Sequence, residues 1–333
     1  MLPTMCDVSR RELFLAGAAF AGAASAADEV NLPVSLTKDV YFHQGDIEHQ
    51  GHCNNGWIIF KDYVLVIDAN FPSGAQNILP KIRALTSKPI RFAFDTHHHG
   101  DHAYGNQVWV DQGATVLSHT GVLEEMKRYE PGRWDDTAKT RPDVAQSRLT
   151  PPSLLFPREI YFDDGEHRVE LHHLGVAHTH GDAVAWMPKE KILFTGDACV
   201  NGPYNFVGDG NVEKWIATLD AAKKLGAQTI CPGHGPRGVS SVLDDQQRFF
   251  QVLSQSVEKR VNAKQTPRQI FEAVSTIHQE IAGTPQIERY ASKDGLAAQV
   301  EKVLQEMTGQ GFPRDTKTAQ HARLLHRRSH TAA

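Results

Sequence analysis

The six residues His97-His98-His99-Gly100-Asp101-His102 constrain this chain more than any others. They offer metal-ligating side chains in the pattern His-x-His-x-Asp-His. The run before them, Ile90-Arg91-Phe92-Ala93-Phe94-Asp95, reads as a strand that ends at Thr96. In extended backbone, residues two apart project to the same side, so His97 and His99 share a target. Gly100 lets the chain turn without a Cβ clash. Asp101 and His102 then face a second point a few ångströms away. Dinuclear hydrolases hold their metals about 3.5–4 Å apart, which suits such a turn. A histidine run alone also fits a metal-scavenging surface tract. The rest of the chain argues against that reading.

Further ligand types stand where apolar runs stop. His178 lies in Gly175-Val176-Ala177-His178-Thr179-His180-Gly181-Asp182, after the strand-like Arg168–Leu174. Asp197 closes Ile192-Leu193-Phe194-Thr195-Gly196-Asp197. His234 closes Thr229-Ile230-Cys231-Pro232-Gly233-His234-Gly235. Strand, loop or glycine, ligand: the same order recurs.

These four blocks, in this order, resemble the signature of the metallo-β-lactamase superfamily over roughly Val40 to Pro236. The resemblance implies an αββα sandwich with a C-terminal helical extension. It implies one metal held by His97, His99 and His178, and a second held by Asp101, His102 and His234. Asp197 would bridge the two, and Asp101 and Asp197 would be the catalytic carboxylates. His98 falls on a position that carries no ligand. His180 competes with His178, but the family pattern puts the ligand before the threonine. The superfamily also places an orienting aspartate where Asp68 ends Val64-Leu65-Val66-Ile67; Asp95 is a weaker candidate for such a role. Histidine ligands generally need a partner for the free ring nitrogen.

Imidazole and carboxylate without thiolate suit catalytic Zn²⁺ with an open position for water. Two Zn²⁺ per chain is the expectation; nitrogen and oxygen donors also accept Fe or Mn. The implied reaction is attack by metal-activated water on the carbonyl of a cyclic amide or ester, as in a β-lactamase or lactonase. Asp197 is a departure from zinc β-lactamases, which generally carry cysteine or serine there. It looks more like the glyoxalase II, lactonase and general hydrolase branches. The alternatives are therefore a thioester hydrolase of glyoxalase II type and an iron-dependent oxidoreductase of the same fold. Tyr204 and Asn205, in Val200-Asn201-Gly202-Pro203-Tyr204-Asn205-Phe206, are the substrate-binding candidates because this loop follows Asp197 directly.

The N-terminus reads as a targeting segment. Ser9-Arg10-Arg11-Glu12-Leu13-Phe14-Leu15 resembles a twin-arginine signature, and Ala24-Ser25-Ala26 a cleavage site. Residues 1–26 are thus expected to be a signal peptide, and the mature protein to reach the periplasm already folded. The apolar stretch Leu13–Ala24 is too short for a stable membrane anchor. Cys53, Cys199 and Cys231 remain after cleavage, so at least one thiol stays free. Cys199 reads as a small buried apolar residue.

Net charge is −4. Within the leader, Asp7 and Glu12 cancel Arg10 and Arg11, and the tail 312–333 carries +4, leaving −8 on the body. That balance opposes nucleic acid as a partner and leaves a small molecule as substrate.

The catalytic domain is expected over residues 27–240, with hairpins at Asn55–Asp68 and Ala183–Thr195. Helices are expected at Ser73–Ser87 and Asn211–Leu225. Arg128 to Pro152 reads as a polar, irregular segment, either a lid or a surface loop, with Arg128, Arg133 and Arg141 as candidate anchors for a substrate carboxylate. The extension 241–311 is helical. Thr266-Pro267-Arg268-Gln269 starts one helix with the stripe Ile270, Val274, Ile277, Ile281. Leu296, Val300, Val303, Leu304 and Met307 form another stripe. These helices would pack on the core or on a second copy of the chain. Residues 312–333 form a basic, solvated tail.

Overall fold

The computed structural model describes residues 30–291 and 295–313. The leader expected over 1–26 and residues 314–333 of the expected tail lie outside the described residues; the first tail residue, Phe312, is not solvated but buried in the C-terminal helical core. Two sheets face each other between helices, the αββα sandwich. The first sheet runs in chain order: β1 (Pro33–Thr37), β2 (Val40–His43), β3 (Asn55–Ile59), β4 (Val64–Ile67), β5 (Ile90–Asp95), β6 (Thr115–His119) and β7 (Leu154–Phe156). The second holds β8 (Glu159–Asp163), β9 (Arg168–His172), β10 (Val184–Met187), β11 (Ile192–Gly196), β12 (Thr229–Pro232) and β13 (Gly238–Val239).

Alternation along the strands creates the layers. Ile58, Leu65 and Ile67 point between the sheets, where they meet Phe94, Leu171, Ala185 and Phe194. Trp57, Ile59, Val64 and Val66 point outward, onto α2 (Pro72–Leu85) and α4 (Asn106–Asp111) through Ala75, Ile78, Ile82 and Trp109; the single-turn α1 (Ile47–Gln50) and α3 (Gly100–Ala103) precede α2 and α4 in turn. Both faces are buried, so these strands read as unbroken apolar runs. Behind the second sheet, Trp186, Leu193 and Ile230 pack on α7 (Val212–Lys224) and α8 (Ser241–Asn262). The remaining C-terminal helices join the same cluster: α9 (Pro267–Glu272), α10 (Val274–Ala282), α11 (Pro285–Glu288) and α12 (Leu296–Thr308).

Strand direction gathers the candidate ligands. β4 and β5 are parallel, as are β11 and β12, and β9 reverses twice through β10 to run with β11. The carboxyl ends of β5, β9, β11 and β12 therefore carry His97–His102, His178, Asp197 and His234 respectively. Gly196 has φ +50°, and a Cβ there would strike the Thr96 side chain. A Cβ on Gly233 would overlap the Asp197 carboxylate, so the β12 turn comes this close to Asp197 only as glycine.

Three expectations are corrected. The segment from Arg128 is helical: α5 spans Thr120–Ala138, and a short α6 spans Pro142–Ala145. Glu125 and Glu130 share the buried face of α5 with Val122 and Met126, which hides the apolar period that marks a helix. The helix expected from Thr266 keeps its capping box but divides at Ala273 into α9 and α10. Met307 stands 42% exposed, and Gln299 takes a buried place on α12 instead.

Candidate metal centre

Ligating atoms of His97, His99 and His178 fall within 4.8 Å of one another, and so do those of Asp101, His102 and His234. A third such group, His97, His102 and Asp197, overlaps both. Asp197 Oδ2 lies 3.5 Å from His178 Nε2 and 3.3 Å from His234 Nε2, while its Oδ1 lies 3.3 Å from His102 Nε2. The carboxylate thus touches both triads. Every one of these side chains is buried except His99, which is partly so. His180 is exposed and outside the cluster.

Hydrogen bonds to the far nitrogens fix which lone pairs face inward. His99 Nε2 donates to Asp209 at 2.8 Å, leaving Nδ1 inward. His178 Nδ1 donates to the Phe206 carbonyl at 2.8 Å, leaving Nε2 inward. Those two inward nitrogens stand 2.8 Å apart. Burial pushes His99 down to about 3, against the pull of Asp209, and lowers His178 as well. Both rings are neutral at pH 7, so two lone pairs confront each other, an arrangement that a cation between them relieves. Asp68 Oδ2 accepts from His102 Nδ1 at 2.9 Å, and its Oδ1 accepts from Thr96 N at 2.9 Å. Asp68 holds φ +61°, an uncommon conformation for a non-glycine residue, while it ties β4 to the histidine turn.

The donor set fits divalent cations on a second observation. His97 Nε2, Asp101 Oδ2 and Asp197 Oδ1 are buried with no hydrogen-bond partner. Buried polar atoms are rarely left so. Burial alone would raise the Asp101 and Asp197 carboxyls, yet the imidazoles of His102 and His234 hold both well below the usual range. The cluster thus presents ionised oxygens and imidazole nitrogens to a common space.

A second layer lies behind His99, and its principal residue, Asp209, is missed by sequence reasoning. Arg133 on α5 grips Asp209 at 2.6 and 2.9 Å. The Gly208-Asp209-Gly210 context is the only sequence signal for it. His98 is fully buried beside this pair, with Nδ1 3.3 Å from Glu125 and Nε2 3.6 Å from Glu130. The Tyr104 hydroxyl donates to Glu130. Glu125 also accepts from the backbone of His180 and Gly181, at 3.2 and 3.1 Å. α5 therefore braces both histidine loops rather than forming an irregular lid.

The substrate candidates separate. Tyr204 is half-buried, its ring 5.7 Å from that of His234. Burial, helped by Glu48, raises its phenol, which stays a neutral donor. Asn205, expected to face substrate, is buried with its side-chain amide committed to the fold. It donates to Gly202 and Tyr290 carbonyls at 3.3 and 3.2 Å and accepts from Gln246 at 2.7 Å. Of the three arginines expected to anchor a carboxylate, two are engaged too. Arg133 serves Asp209. Arg141 donates to the Gln50 carbonyl at 2.8 Å and to Asp143 at 3.2 Å, and it covers the Phe71 ring at 3.7 Å. Arg128 lies over Tyr129 at 5.0 Å.

Cys53, Cys199 and Cys231 are buried. Burial pushes the Cys199 thiol well up, so it stays protonated and behaves as a small apolar residue. Asp95 donates nothing to the cluster; it accepts from Asn106 at 2.7 Å.

Residues 50–234 match the family model described as the metallo-beta-lactamase superfamily. A metallo-beta-lactamase type 2 of Bacteroides fragilis is 30% identical over 96 residues, which are 27% of this chain and 39% of that protein. Metallo-beta-lactamase IND-1 of Chryseobacterium indologenes is 25% identical over 187 residues, 54% of this chain and 71% of that one. The solved metallo-beta-lactamase from Pontibacter korlensis superposes with a TM-score of 0.57 at 19% identity, covering 66% of this chain and 98% of that chain. That last likeness is one of fold.

Proposed function

The chain belongs to the metallo-beta-lactamase superfamily, and on that premise we propose that it is a dinuclear zinc hydrolase of small uncharged cyclic esters or amides. The observation that carries this reading is Asp197, whose two oxygens reach residues of both triads. When bound, two divalent cations there supply an activated water and a Lewis acid for the carbonyl oxygen. The N/O donor set suits zinc and tolerates iron or manganese.

The chain's own residues do the rest. Asp68 and Asp209 orient His102 and His99, so the metal-facing nitrogens are fixed before substrate arrives. Tyr204 keeps its proton beside His234 and offers a hydrogen bond to the substrate carbonyl or its leaving oxygen. The engaged state of Arg133 and Arg141 favours substrates without a carboxylate. The body's charge of −8 favours the same class. A thioester of glyoxalase II type remains the runner-up, since Asp197 suits that branch equally.

Export to the periplasm is part of this reading, and it is supported by Arg10-Arg11 and the apolar run after them. Elemental analysis of the purified protein tests the metal centre. The expected result is about two metals per chain, with zinc predominant. One iron and no zinc would replace hydrolysis by the oxidoreductase reading.

A further inference from the structure

The family match ends at His234, yet the helices beyond it reach back to the loop beside the metal centre. Gln246 on α8 is fully buried, and both ends of its amide are used on one stretch of chain. Its Oε1 accepts from Val200 N at 2.9 Å, and its Nε2 donates to Asn205 Oδ1 at 2.7 Å. Gln299 on α12 donates to the Asn205 carbonyl at 2.9 Å. The Tyr290 carbonyl, after α11, accepts from Asn205 Nδ2 at 3.2 Å. Glu306 on α12 accepts from Val212 N through both oxygens, at 3.0 Å each. Residues 200–212 are therefore pinned at the start, the middle and the end by side chains and backbone of the extension.

That stretch carries groups that contact the candidate ligands. Tyr204 stands beside His234, the Phe206 carbonyl holds His178, and Asp209 holds His99. Apolar packing alone would seat the helices on α7 without specifying this loop. Buried amides with fixed partners specify it, because each unmade bond leaves a polar group without solvent.

We propose that Gln246 and Gln299 are positioning residues for the substrate wall, so that the C-terminal helices set which substrates fit against Tyr204. This rests on the reading of Tyr204 as a substrate contact. The pinning of the loop stands apart from it and is measured separately.

The test uses the full-length, metal-loaded protein with Gln246→Met, Gln299→Met and the pair. Hydrogen exchange followed by mass spectrometry reads the loop directly. Amides of 200–207 are expected to exchange at least about tenfold faster in the paired variant, as the loss of two or more bonds implies. Exchange at the 97–102 turn is expected to stay unchanged. On aryl ester and lactone, KM is expected to rise about tenfold with a smaller change in kcat. In a Tyr204→Ala background the same changes should add little to KM, since they act through the ring already removed. Unchanged exchange at 200–207 overturns the proposal, and so do KM effects that add fully to Tyr204→Ala. Should the pair fail to fold, Gln299→Met alone, which removes one bond, carries the same exchange and KM comparisons. If the wild type hydrolyses no carbonyl substrate, the functional reading fails, and the exchange measurement alone decides whether the helices hold the loop.

Discussion

Arg133 holds Asp209 by both terminal guanidinium nitrogens, at 2.6 and 2.9 Å. Asp209 in turn accepts from His99 Nε2 at 2.8 Å. Three elements distant in sequence thus determine how one imidazole faces the candidate metal centre: α5, the loop before α7 and the turn after β5. Burial would raise the Asp209 carboxyl, but His99 and Arg133 keep it far below the usual range, so it is always an acceptor.

Arg133→Ala and Asp209→Ala are therefore expected to weaken metal retention at the first triad by about ten- to a hundredfold, the usual effect of losing such a partner. A chelator competition reads the affinity. Arg133→Lys should restore part of it, because one donor of the pair returns without the fork. If Arg133→Ala alters KM for an anionic substrate and leaves zinc affinity intact, the side chain is a substrate anchor after all.

A pH effect on stability follows from His43. It is 2% exposed on β2, both ring nitrogens lack partners, and burial pushes it down to about 4, with Lys81 adding to the shift. The unfolded chain binds a proton at this ring below about pH 6.5, whereas the folded protein refuses it until about pH 4. Stability from this site is complete above pH 6.5 and is lost as pH falls through that window, by about 3 kcal/mol in all. Urea unfolding at pH 7 and pH 5 should show about 2 kcal/mol of this loss in the wild type and a flatter dependence in His43→Leu. Equal slopes in both would remove His43 from the account.

How much of this was readable without the structure depended on where each residue's partners lie. The clustering of the candidate ligands was legible because each follows a strand of apolar residues, and strand ends converge in a parallel arrangement. Asp68 was legible for the same reason. Asp209 was not: its partners are 76 and 110 positions away in sequence. α5 was hidden because its inward face offers carboxylates to His98 and to the 180–181 backbone instead of leucines. Asn205 misled because adjacency to Asp197 says nothing about which way an amide turns. Gln246 and Gln299 look like surface residues of amphipathic helices until Asn205 is seen between them.

Export gives a separate test. Arg10 and Arg11 precede the apolar run Leu13–Ala24. Arg10→Lys with Arg11→Lys is expected to leave the precursor in the cytoplasm, active after lysis because its metals are loaded before crossing. Immunoblots of periplasmic and cytoplasmic fractions read the outcome. Undiminished periplasmic protein in the double variant would assign export to another route.

The account turns on which carbonyl the centre prefers. The direct measurement is kcat/KM of the zinc-loaded protein for a neutral lactone, an aryl ester, a thioester and a β-lactam, under one set of conditions. With Arg133 and Arg141 occupied by Asp209 and Asp143, the neutral lactone or ester is expected to lead. A β-lactam preference of about tenfold or more, worth about 1.4 kcal/mol of transition-state binding, would contradict the account and make antibiotic hydrolysis the primary activity.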